Sequence, residues 1–135
     1  MKKIFLSLII LSTISIFPFC KKSDDCVGGS GGNLTLVVRL QHHGKTIYNQ
    51  GNYRDTVYIK YNSQDNPGSN PLSYSTAFIG DSGEDHVHVT GLQCGNYYIY
   101  GVGLDTSIHE RVTGGIPYST SQKSGEIDLN VPVTE

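Results

Sequence analysis

The chain has 135 residues, with 10 Lys and Arg against 12 Asp and Glu, and its formal net charge at neutral pH is −2. This weakly acidic balance argues against binding to nucleic acid, which needs clustered Lys and Arg for its phosphates. Sixteen glycines, nine tyrosines and no tryptophan favour strands and turns over helices. We therefore expect one small domain that is rich in β-structure.

The first 19 residues have the pattern of a lipoprotein signal peptide. Lys2 and Lys3 precede a mostly apolar run that ends at Cys20. Cleavage before Cys20 would make it the first mature residue and the site of acylation, so that lipid anchors the chain to a membrane. Small residues usually precede such a cysteine, whereas Phe19 is bulky. An uncleaved N-terminal membrane anchor is therefore the alternative, and either outcome places the domain outside the cytoplasm.

A charged tag and a glycine-rich run follow. The tag consists of Lys21, Lys22, Ser23, Asp24 and Asp25. It resembles the lysine- and aspartate-rich export tags of surface lipoproteins in some Gram-negative bacteria, which implies a lipid-anchored, surface-exposed protein of the outer membrane. A plain solvated tether, facing the periplasm, is the alternative. Gly28–Gly32 predicts a flexible linker, so residues 20–32 form a leash ahead of a domain over residues 33–135.

From Asn33 onward, apolar and polar residues alternate in short segments, which is typical of antiparallel β-sheet. Leu34, Leu36, Val38 and Leu40 share one face of the first predicted strand. Seven strands are predicted, over residues 34–40, 57–61, 73–79, 86–89, 96–102, 112–120 and 127–133. Since no window of eleven residues shows a helical stripe, the pattern predicts a single all-β domain, an antiparallel sandwich of about seven strands.

About twenty residues resemble a known group of sandwich domains. The turn Asp81-Ser82-Gly83 is followed by an alternating strand, and Gly91–Tyr97 contains Leu-x-x-Gly-x-Tyr. This order is similar to carboxypeptidase-regulatory-like, transthyretin-like and collagen-adhesin B-type domains. The resemblance implies an immunoglobulin-like or transthyretin-like fold, and these folds serve as spacers, stalks, binders and enzymes. Gly95 is expected to permit a tight corner, and Tyr97 to bury its ring while its hydroxyl binds nearby backbone.

The cysteine count predicts a disulfide. If Cys20 is acylated, Cys26 and Cys94 remain as an even pair in an oxidising compartment. We expect these two to bridge and so to pin the end of the leash to the corner near Gly95. Two unpaired thiols are the alternative.

His86 and His88 share one face of a predicted strand, because side chains two residues apart point the same way. Such a pair can chelate a transition metal, but a site needs a third ligand. Glu84 would share their face, and His42, His43 or His109 could approach it, whereas Asp85 would point away. The plain interpretation is an exposed polar strand face, so no metal or other cofactor is expected and the two histidines are only weak candidates.

Tyr58, Tyr98 and Tyr100 alternate with residues that are predicted to face the core. If they are adjacent on the outer face of one sheet, they form an amphipathic patch that can stack on sugars or on a partner protein. Tyrosines that only shield the sheet are the alternative.

The sequence contains no pattern that predicts catalysis. The single Gly-x-Ser-x-Gly match, at Ser30, lies in the glycine-rich run 28–32 and not at the strand-to-helix turn that a nucleophilic serine of this type needs. The last five residues, 131–135, lack the Tyr-Arg-Gly-Ser of transthyretin-like hydrolases. We therefore expect a non-catalytic lipoprotein that binds an envelope partner or builds an envelope assembly. A glycan-binding accessory module of a surface uptake system is the alternative.

Overall fold

The computed structural model describes residues 26–135. The predicted signal peptide 1–19, the acylation site Cys20 and the tag Lys21–Asp25 lie outside these described residues. The elements, in order, are β1 (Ser30–His42), β2 (Lys45–Thr46), β3 (Thr56–Tyr61), a 3-10 turn (Pro71–Ser73), β4 (Thr76–Ile79), β5 (Val87–Leu92), β6 (Gly95–Asp105), β7 (Glu110–Thr120) and β8 (Ser124–Val133). Within 26–135, no helix has the length and apolar character to cross a membrane.

The strands form two sheets, which confirms the predicted all-β sandwich. In the first sheet, β1 pairs with β8 along one edge and with β5 and β2 along the other. The second sheet has the antiparallel order β4–β3–β6–β7. The β1–β8 pair is parallel, in contrast to the antiparallel pairing expected throughout. These are the first and the last strand in the sequence, so no hairpin connects them and forces them to be antiparallel.

The core between the sheets is filled from alternate strand positions. In β1, the predicted inward residues Leu34, Leu36, Val38 and Leu40 are fully buried. The facing sheet contributes Val57 and Ile59 of β3 together with Tyr97 and Ile99 of β6. A shift of one residue in the pairing of β1 would turn its whole apolar face to solvent, so burial of this face fixes the register.

The segment expected to be a flexible linker packs against the domain instead. Strand β1 begins at Ser30, which precedes both the predicted strand start at residue 34 and the predicted domain start at residue 33. A Cβ atom on Gly32 would lie 2.0 Å from the carbonyl oxygen of Leu92, and one on Gly28 would lie 2.4 Å from that of Asn96. Glycine is therefore required here for close backbone approach, and its run in the sequence does not mark a flexible leash.

The predicted disulfide between Cys26 and Cys94 is present. The two Cα atoms are 4.8 Å apart, and the bond joins residues separated by 68 positions. It attaches the beginning of the described chain to the connection between β5 and β6.

A tyrosine corner stands beside the disulfide. Tyr97 is fully buried, and its hydroxyl donates to the carbonyl oxygen of Gln93 at 2.5 Å and accepts from the amide of Gly29 at 3.1 Å. Gly95 has a φ of 144°, and a Cβ atom there would lie 2.1 Å from the amide nitrogen of Gly28. The corner thus needs glycine at position 95 and uses one buried hydroxyl to hold two backbone segments.

The sandwich has two ends of different composition. The tether end contains the disulfide, the starts of β1 and β6, and the ends of β5 and β7. The far end contains the ends of β1, β6 and β8 together with four connections, 43–44, 47–55, 80–86 and 106–109. These two names are used below.

Breaking the disulfide should destabilise the domain strongly. In the chain-entropy description, a crosslink over 68 residues contributes about 4 kcal/mol to the free energy of unfolding. Urea unfolding with and without reductant measures the loss. The double variant Cys26→Ser, Cys94→Ser is the control. Its unfolding midpoint should equal that of the reduced protein and should not change when reductant is added. Equal unfolding midpoints for the oxidised and the reduced protein would contradict this prediction.

Candidate functional site

The three predicted surface tyrosines lie together, but a fourth covers them. The rings of Tyr58 and Tyr100 are 6.4 Å apart, and Tyr74 packs 5.6 Å from the first and 5.5 Å from the second. Tyr98 and Tyr100 are only 6% and 8% exposed. Burial raises the pKa of Tyr74 to about 12. The loop before β4 therefore closes over this face of the second sheet, and the tyrosines form a packed cluster instead of an open platform.

Exposed apolar side chains concentrate at the far end. They are Tyr48, Tyr53, Ile79 and Ile108. Of the large apolar residues that are exposed in the described part of the chain, two others, Val27 and Leu72, lie toward the tether end. Apolar surface that is grouped in this way is typical of interaction sites, whereas scattered exposed residues carry no meaning.

Three cavities also open at the far end. The first has a volume of about 290 Å³ and lies beside Tyr53, Arg54 and Arg111. The second, of about 190 Å³, lies between residues 45–50 and 104–107. The third, of about 230 Å³, borders His42 and Glu135. The connections that line them belong to the far end, so concave and apolar surface coincide there.

A buried histidine forms the floor of the third cavity. His42 is 4% exposed, with Nδ1 2.8 Å from Asp105 and Nε2 2.7 Å from Glu135. The hydrogen bond with Asp105, assisted by Glu135, raises the pKa of His42 above its ordinary value. Hydrogen bonds from Ser107 and from His42 lower the pKa of Asp105 to about 2. The His42 ring is therefore held between two carboxylates, which favour its protonated form.

The buried amide of Asn49 joins two of the far-end connections. Its Nδ2 donates to the carbonyl oxygens of Glu84 and His86 at 3.1 and 3.0 Å, and its Oδ1 accepts from the amide of Asp55 at 2.6 Å. A Cβ atom on Gly80 would lie 2.4 Å from this Oδ1. One fully buried side chain thus replaces the sheet hydrogen bonds that these irregular segments lack.

Asp55 carries a buried carboxyl group without a partner. It is 1% exposed, and neither carboxyl oxygen has a hydrogen bond within residues 26–135. A Cβ atom on Gly103 would lie 2.5 Å from one of these oxygens, so glycine makes the space that the carboxyl occupies. Burial raises the pKa of Asp55 to about 6.

The structure brings His86 and His88 together with Glu84. His86 Nε2 lies 3.0 Å from His88 Nε2 and 3.2 Å from a carboxylate oxygen of Glu84. Asp85 was expected to point away, which is wrong, because it contacts His86 Nδ1 at 2.7 Å and Arg39 at 3.3 Å. Residues 84–86 precede the first paired residue of β5, so the alternation of a regular strand does not apply to them.

Sequence reasoning missed the buried roles of three of these residues, Asn49, Asp55 and His42. Nothing in the sequence distinguishes Asn49 and Asp55 from ordinary turn formers, since only their burial sets them apart. For His42 a signal existed, because it continues the series of alternate core positions that runs through β1 from Leu34 to Leu40.

No protein-family model, curated protein or solved structure matches this chain. The candidate functional features of the described residues are the far end and the group of Glu84, His86 and His88.

Replacing His42 with Gln should destabilise the domain more at about pH 5 than at about pH 9. The folded protein raises the pKa of His42 above 6.5. Its contribution to stability is therefore fully present below the unfolded value and is lost as the pH rises through the folded value. Thermal unfolding of both proteins at the two pH values measures this difference, with His109→Asn as an exposed control. An equal effect of the substitution at both pH values would contradict the assignment.

The substitution Asp55→Asn should stabilise the protein above about pH 7. Its folded pKa of about 6 exceeds the ordinary 3.8, so the unfolded chain ionises first. The wild type then loses stability as the pH rises between these values, and the variant should not. Urea midpoints across this range test the prediction, with the exposed Asp65→Asn as the matched control. Parallel pH profiles of wild type and Asp55→Asn would disprove it.

Proposed function

We propose that this chain is a membrane-tethered, non-catalytic binding module of the bacterial cell envelope, and that it presents its far end to a partner. The observation that carries this proposal is the separation of the two ends. Cys26 is fixed at the tether end, whereas the exposed group Tyr48, Tyr53, Ile79 and Ile108 lies at the far end. Strand β6, with 11 residues, spans about 35 Å between them.

The tether follows from the predicted acylation of Cys20. Six positions separate Cys20 from Cys26, and such a segment reaches at most about 20 Å when extended. Since Cys26 is bonded to the tether end, lipid at Cys20 would hold that end near the membrane and turn the far end away from it. The tag Lys21–Asp25 supports the outer surface of an outer membrane as the location.

The hydrogen bonds of the histidines support binding over catalysis. Among residues 26–135, His42, His86 and His88 bond to carboxylates or to another histidine. A nucleophilic enzyme instead needs a histidine within reach of a serine, threonine or cysteine. The far-end loops, held on a rigid sandwich, have the arrangement by which such folds present binding surfaces.

A protein partner fits the far end best, because exposed tyrosine and isoleucine surrounded by polar side chains is typical of protein interfaces. One observation favours the alternative, a glycan. The cavity of about 290 Å³ combines the exposed Tyr53 with Asn52, Arg54 and Arg111, and an aromatic ring beside polar donors is able to bind a sugar.

The tether is tested by the intact mass of the chain purified from its native membrane. We expect loss of residues 1–19 and added lipid mass, and we expect Cys20→Ala to remain unacylated and to leave the membrane fraction. A full-length, unacylated wild-type protein would contradict the lipoprotein and indicate an uncleaved N-terminal anchor.

The far end is tested separately by site-specific photo-crosslinking on intact cells. A crosslinker at Tyr53 should give one discrete protein adduct, whereas one at Leu72, which is 92% exposed at the tether end, should not. Equal adducts from both positions would disprove a far-end site. Saturable binding of an oligosaccharide that is lost in Tyr53→Ala, without any protein adduct, would establish the glycan alternative instead.

A further inference from the structure

We propose that Glu84, His86 and His88 form a site for a divalent transition-metal ion of the zinc type, on the outer face of the first sheet. The ligand atoms are one carboxylate oxygen and two imidazole nitrogens, and they lie within 4.8 Å of one another. Imidazole and carboxylate together suit zinc and its neighbours, whereas calcium and magnesium prefer oxygen ligands alone. This site is independent of the partner proposed for the far end.

The distances fit a common central ion. The Nε2 atoms of His86 and His88 are 3.0 Å apart, and His86 Nε2 is 3.2 Å from the carboxylate of Glu84. Zinc bonds to nitrogen and oxygen are about 2.0 to 2.2 Å long, so neighbouring ligand atoms of a tetrahedral site lie about 3.4 Å apart. Only small side-chain adjustments would place one ion at bonding distance from all three atoms.

The two ring nitrogens of His86 face different partners. Nδ1 lies 2.7 Å from Asp85, whereas Nε2 lies 3.0 Å from His88 Nε2 and 3.2 Å from the carboxylate of Glu84. His86 Nε2 therefore faces both of the other ligand atoms, and an ion would lie between these three groups.

Asp85 and Arg39 hold the ligand in place. A carboxylate on the far nitrogen of a metal-binding histidine fixes the ring and makes it a better ligand. Asp85 occupies this position on His86, and Arg39 bonds to Asp85 on one side and to Asp128 on the other. The three carboxylates of the group outweigh the one guanidinium, so its net charge favours a cation.

The backbone that carries two of the ligands is also fixed. The buried Asn49 donates to the carbonyl oxygens of Glu84 and His86, so both side chains start from a held main chain. His88 stands in β5, where it pairs with Val37 of β1. The site is therefore built before an ion arrives, and this preorganisation favours binding.

The site keeps one side open. His88 is exposed and the side chain of Glu84 is 43% exposed, so a fourth ligand must come from water or from a partner. Three protein ligands with an open position are typical of zinc sites that bind another molecule. The other group of this kind among the described residues, His42 and His43 with Glu135, is less open to an incoming ion, because His42 is buried.

The test is a titration of the full-length chain, in detergent and without a histidine tag, with Zn²⁺ by calorimetry and with Co²⁺ by visible absorption. We expect one ion per chain at micromolar concentration and no binding of Ca²⁺. His88→Ala should abolish binding, since two protein ligands remain. Asp85→Asn should weaken it about tenfold or more, as is found for histidine-orienting carboxylates.

Two controls keep the result decisive. His109→Asn should bind the ion like the wild type. In the absence of metal, His88→Ala and Asp85→Asn should unfold at the same temperature as the wild type, which shows that loss of binding does not result from loss of the fold. Failure of the wild type to bind either ion would overturn the proposal. So would equal binding by His88→Ala, or loss of binding in His42→Gln alone, which would assign the ion to the other histidine cluster.

Discussion

The register of strand β1 is the constraint on which the packing of the two sheets depends. The strand has pairing partners along both edges, and its inward side chains from Leu34 to Leu40 are fully buried. A slip of one residue would expose this face and bury Arg39, at a cost far above the stability of a small domain. The same register decides what the outer face shows, since it places Arg39 between Asp85 and Asp128.

The two ends of the sandwich are stabilised in different ways. At the tether end, close backbone contacts, the Cys26–Cys94 bond and the hydroxyl of Tyr97 hold the chain where β1 begins. At the far end, one amide, that of Asn49, binds two irregular connections together. That end also holds the buried carboxyl of Asp55, which has no hydrogen-bond partner among residues 26–135, and this burial costs stability. The proposed binding surface thus lies at the end where polar side chains hold the fold.

The proposed metal site and the proposed binding surface share a connection. Residues 80–86 run from β4 to β5 at the far end, carry Glu84 and His86, and are held by Asn49. An ion bound there would stiffen a segment that borders the apolar group, and its open position would face the same solvent as the partner. Cys26 is bonded at the other end of the molecule, so the proposed attachment through Cys20 would leave both surfaces free.

The sequence by itself determined the fold class, the seven main strands and the cysteine pair, because two-residue alternation and cysteine parity are properties of the chain alone. It could not decide which outer faces stay open, since Tyr74, which covers Tyr58 and Tyr100, comes from a loop with no periodic signal. Only the tertiary structure shows that the backbone at Gly28 and Gly32 packs closely against the domain, where the sequence predicted a flexible leash. Only the tertiary structure brings Arg39 to the carboxylate of Asp85, because such a contact depends on residues that are distant in sequence.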